Sequence, residues 1–116
     1  MSDITKDLAD KIVVAAEDKK AQNCRILDVV GISMVTDYFV VCSANSNTQV
    51  KAIADNIEKE LAKEDVKMLH KEGYREGRWI LMDYGTCIVH IFVEEEREFY
   101  NLERLWGTSE PVHEED

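Results

Sequence analysis

Asp83 and His90 stand in one short apolar stretch, residues 78–92, which reads RWILMDYGTCIVHIF. A carboxylate and an imidazole held together are the parts of a general acid–base pair. Cys87 lies equally near His90, and a thiol beside an imidazole is the core of a nucleophilic site. Asp28, Asp37 and Asp83 offer a third chemistry, because carboxylates gathered from several strands hold divalent metal ions. Which of these is open depends on which side chains share a face.

The stretch reads as two β-strands joined by a tight turn, and side chains alternate across a strand. Ile80 and Met82 share one face of the first strand, and Trp79, Leu81 and Asp83 share the other. In the second, Cys87, Val89 and Ile91 oppose Ile88, His90 and Phe92. A two-residue turn at Tyr84-Gly85, with Gly85 supplying positive φ, pairs Asp83 with Thr86, Leu81 with Ile88 and Trp79 with His90. The aliphatic face then belongs under helices. Cys87 and His90 point apart, which separates a nucleophile from its base.

The other face carries Trp79, Leu81, Asp83, Ile88, His90 and Phe92. Two readings compete for it. In one, a helix covers it, His90 stacks on Trp79, and Asp83 caps a backbone amide at the turn. In the other it is a binding patch, with aromatic anchors and a few oriented polar groups. Catalysis is less well supported. One aspartate per strand is a thin metal site, and His70, His90 and His113 lack metal-ligand spacing. The CSANSN turn has no glycine to bring backbone against a phosphate. No serine sits in a nucleophile elbow. The expectation is a protein with no metal, no cofactor and no catalytic residue.

The elements that position this hairpin follow from periodicity. Residues 3–20 have helical spacing at Ile4, Leu8, Ile12 and Ala15 or Ala16. CRILDVV (24–30) and DYFVVCS (37–43) read as strands, the second apolar enough for burial on both faces. Ser46-Asn47-Thr48-Gln49 fits a capping box opening a helix whose face is Val50, Ile53, Ala54, Ile57 and Leu61. VKMLH (66–70) reads as a short strand, KEGYREGR as a charged loop, and 94–105 as a helix closed by Trp106-Gly107. The predicted fold is α/β (α+β), a mixed five-stranded sheet with helices packed on it. Residues 1–107 form one domain, and the acidic tail 108–116 reads as disordered.

Twenty-four acids against fourteen bases give a net charge of −10. Nucleic-acid phosphates and anionic membranes need a basic face, so the balance points to a basic partner or to solubility alone. Cys24, Cys42 and Cys87 are an odd, scattered set, read as reduced, buried thiols of a cytoplasmic protein. No stretch reads as a signal peptide or membrane span.

Three stretches together, DYFVVCSANSNTQVKAIADNIEKEL (37–61), GRWILMDYGTCIVHIF (77–92) and REFYNLERLWG (97–107), resemble the ribosomal silencing factor family, also called Iojap-related. The resemblance runs from the first helix to Trp106. It implies a nucleotidyltransferase-like topology without the catalytic motif. It implies binding to the large ribosomal subunit through ribosomal protein L-fourteen, which blocks joining of the small subunit and represses translation when nutrients are scarce. It also implies a homodimer when free. Carried onto this sequence, partner binding falls on Trp79, Leu81, Asp83, Tyr84, His90 and Phe92, with Arg97, Phe99 and Tyr100 nearby. Leu102, Leu105 and Trp106 go to packing or dimer contacts. A residual metal-dependent nucleotidyltransferase and a large-subunit assembly factor are the alternatives.

Overall fold

A computed structural model describes residues 2–31, 36–94 and 111–114. Its elements are α1 (Ser2–Glu17), β1 (Gln22–Asp28), β2 (Tyr38–Ala44), α2 (Asn47–Ala62), β3 (His70–Glu72), β4 (Trp79–Asp83), β5 (Cys87–Val93) and β6 (Pro111–Glu114). One mixed sheet runs in the order β3-β4-β5-β2-β1-β6. β2 and β5 pair in parallel at its centre, and every other pairing is antiparallel. All residues of both central strands are buried, as the unbroken apolar run of β2 predicts.

The helices form as their periodicity requires. Ile12, Ala15 and Ala16 of α1 are buried, joined by Ala9 and Val13. α2 buries the expected Val50, Ile53, Ala54, Ile57 and Leu61, with Asn56 among them. The Asn56 Nδ2 donates to the Ala15 carbonyl at 2.8 Å, so the buried amide ties α2 to α1. Ser46 is the N-cap, and its Oγ accepts from the Gln49 amide at 3.1 Å. Gln49 reaches back one residue beyond a regular capping box, accepting from the Asn45 amide at 2.9 Å. Its Nε2 donates to the carbonyls of Lys19 and Lys20, where α1 ends.

Three sequence expectations change. The strand expected at 66–70 begins only at His70, and Leu69 contributes just its amide, to the Asp83 carbonyl at 2.8 Å. The hairpin register shifts by two because the turn falls at Gly85-Thr86 rather than Tyr84-Gly85: Asp83 pairs with Ile88, Leu81 with His90, and Trp79 with Phe92. Gly85 does take φ +89, and the Tyr84 N–H donates to the Cys87 carbonyl at 2.9 Å, which closes the turn one residue later than expected. A shift of two keeps every side chain on its expected face. The tail is the third: Pro111–Glu114 is an edge strand on β1 rather than disordered chain. The outer edge of β1 offers unpaired backbone groups, and proline is tolerated at the start of an edge strand. The sheet therefore has the five expected strands and a sixth. The helix expected at 94–105 lies outside the described residues, apart from Glu94.

The sheet separates two apolar clusters. One joins Ile80, Met82, Val89 and Ile91 to α1 and α2. The other holds Leu27, Val29, Phe39, Val41, Ile88 and Phe92, with Trp79 and Leu81 at its margin, and contains no residue of either helix.

Candidate functional site

The mixed face of the hairpin belongs to the second cluster, and burial sorts its residues into two layers. Phe92 is fully buried and His90 is 6% exposed. Trp79, Leu81 and Asp83 are half-buried, on β4, next to the edge strand β3. The outer layer rests on the inner one. Trp79 packs on Phe92 with ring centroids 4.9 Å apart, and its Nε1 donates to His90 Nδ1 at 3.1 Å. His90 in turn meets Phe39 edge-on at 5.2 Å. Such aromatic contacts fix the orientation of the half-exposed indole.

Burial pushes the His90 pKa down to about 4, so the imidazole is neutral near pH 7. It accepts at Nδ1, which leaves its proton on Nε2. A buried neutral imidazole bonded to an indole supports a wall. Cys87 lies on the opposite face, its thiol pushed up to about 12 by burial, so the thiolate a nucleophile needs is suppressed. Cys24 and Cys42 are also buried thiols, outside any disulfide.

Asp83 does what the turn reading expects: its Oδ1 accepts from the Gly85 amide at 2.8 Å. Asp28 likewise accepts from the Val30 amide. Among the described residues no three His, Cys, Asp or Glu side chains gather as a metal site, so Asp28, Asp37 and Asp83 are not brought together.

Tyr84 is placed differently from the expectation. It joins the helix-side cluster and is 7% exposed, because alternation continues past Asp83 and puts it on the face of Ile80 and Met82. Among the described residues its buried hydroxyl meets no hydrogen-bond partner. Arg97, Phe99 and Tyr100 lie outside the described residues.

Beside the outer layer is a cavity of about 230 Å³, lined by Trp79, Leu81, Glu72 and Gly73. The sequence places both Glu72 and Gly73 in the charged loop KEGYREGR. The hidden signal was Gly73: at φ +82 its position would bring a Cβ within 2.0 Å of the Trp79 carbonyl, so only glycine lets the loop lie against β4. Leu69, 69% exposed, was also missed. It flanks the hairpin turn, 3.5 Å from where a Cβ on Gly85 would stand.

The family model for ribosomal silencing factor during starvation (RsfS) matches residues 2–116. The chain belongs to the ribosomal silencing factor family. The match includes the tail that the sequence resemblance left out. A ribosomal silencing factor from Bacillus subtilis is 46% identical over 98 residues, spanning 84% of this chain and 83% of that protein. One from Halalkalibacterium halodurans is 40% identical over 107 residues and 92% of each chain. The crystal structure of a Chromobacterium violaceum protein has a TM-score of 0.86 at 30% identity, covering 88% of this chain and 85% of that one. The family is named for a regulatory role rather than a reaction. Among the described residues no helix is long and apolar enough to cross a membrane.

Proposed function

We propose that this protein is a non-catalytic silencing factor that binds the large ribosomal subunit through ribosomal protein L-fourteen and keeps the small subunit from joining. The observation that carries this reading is the outer layer of the hairpin face. Trp79 and Leu81 present half-exposed apolar surface beside a cavity, on a rigid aromatic base, as an interface anchor requires. Asp83 spends one oxygen on the turn and has the other for a lysine or arginine of the partner. A net charge of −10 favours a basic ribosomal protein over bare RNA.

His90 and Phe92 support the surface from beneath, and Tyr84 holds the turn from the helix side. When free, the chain forms a homodimer, and a dimer built on the same surface competes with the ribosome.

Co-sedimentation with purified large subunits, followed by addition of small subunits, tests the reading. The protein pellets with the large subunit, and whole ribosomes fail to form. A protein that stays in the supernatant at micromolar concentration overturns the proposal. Preference for immature over mature large subunits replaces it with the assembly-factor reading.

A further inference from the structure

On the other side of the sheet, α1 and α2 leave a groove of about 230 Å³ between them. Val14 stands in it 61% exposed, with Ala15 and Leu61 beside it. An exposed β-branched side chain in a concave site is apolar surface that water covers poorly. The surrounding charge is lopsided. Asp10 and Asp18 line the groove from α1, and Glu60 lines it from α2. Lys63 pairs with Glu60 at 3.2 Å, and Lys11 is bonded across the groove to Glu64. That second bond raises the Lys11 pKa and uses up its charge locally.

We propose that this groove is a docking site for a basic polypeptide segment, one that sets an aliphatic side chain on Val14 between flanking lysines or arginines. Charge complementarity selects the occupant. A second copy of this chain would bring an acidic surface to an acidic rim, at −10 per copy. Nucleic-acid phosphate is repelled for the same reason. An apolar floor with a carboxylate rim fits cations on an apolar stem, with the rim steering approach and the floor holding the side chain. The groove lies on the opposite face from Trp79 and does not depend on the ribosome-binding reading.

The test uses the ¹⁵N-labelled full chain and a fluorescent seven-residue peptide with one central leucine flanked by lysines. The expected result is saturable binding with amide shifts confined to residues 10–18 and 60–64. Replacing the central leucine by serine, or Val14→Ser in the protein, weakens binding about tenfold. Val14 is solvent-facing, so the fold survives that change. Glu60→Lys weakens binding more than Glu76→Lys, an equal change of charge away from the groove. No binding at millimolar peptide overturns the proposal. So do scattered amide shifts, equal loss in the two charge variants, tighter binding of an oligouridylate than of the peptide, or self-association that Val14→Ser abolishes.

Discussion

Trp79 Nε1 donates to His90 Nδ1 at 3.1 Å, which links the half-exposed outer layer of the hairpin face to its buried base. The imidazole can hold this bond only while Nδ1 carries no proton. Burial already lowers the His90 pKa to about 4, and a proton on Nδ1 would face the indole N–H, donor against donor. An unfolded chain titrates its histidine near the ordinary 6.5. Stability is therefore complete above about pH 6.5 and falls as pH drops toward 4, because the unfolded state takes up the proton first. The full loss from this group is roughly 3 kcal/mol. Thermal melts of wild type and His90→Gln between pH 7 and pH 4 check it, since the variant loses this part of the pH slope.

The two layers separate in mutants. Trp79→Ala removes a half-exposed anchor, and large-subunit binding falls about thirtyfold or more, by 2 kcal/mol or above. Its cost in stability stays below that of Phe92→Ala, which empties a fully buried site and costs about 3–5 kcal/mol. Sedimentation with large subunits and urea melts, run on both variants, give the comparison. Equal stability loss would put Trp79 in the core rather than at an interface.

Gly73→Ala should act at the same surface without touching a side chain of it. The new Cβ would meet the Trp79 carbonyl at 2.0 Å, and φ +82 is strained for alanine. Either the loop lifts or β4 shifts. The expected result is a loss of roughly 2–3 kcal/mol in stability and a changed Trp79 fluorescence spectrum. Gly31→Ala is the control, with positive φ but open space around it.

How much of this was legible in the sequence depends on the range of the forces involved. The face assignment of the hairpin followed from alternation alone and survived a register error, because the error was two residues and side-chain parity has period two. The Ser46 cap and the α2 core face are local signals and read directly. Tyr84 was misplaced because it was given to the turn: the Tyr84–Cys87 backbone bond makes it the last paired residue before the turn, and alternation then carries it to the face of Ile80 and Met82. β6 was missed because it exists only where β1 offers an open edge, a partner far away in the chain. Leu69 and Gly73 gained meaning only when β3 and β4 brought them beside the turn and Trp79.

Tyr84 carries the last prediction. Its buried hydroxyl meets no hydrogen-bond partner among the described residues, and burial, with a smaller contribution from Glu58, pushes its pKa up to about 12. A phenol desolvated without compensation costs about 1–3 kcal/mol. The ring itself is useful, since it belongs to the helix-side cluster under α2. Tyr84→Phe keeps the ring and removes the orphaned oxygen, so it raises the stability or leaves it unchanged. Tyr84→Ala removes both and lowers it by about 3 kcal/mol or more. Urea denaturation of the pair checks the order. If Tyr84 instead anchors a partner through its hydroxyl, Tyr84→Phe weakens large-subunit binding while the fold stays intact, and the same two proteins in the sedimentation assay separate these roles.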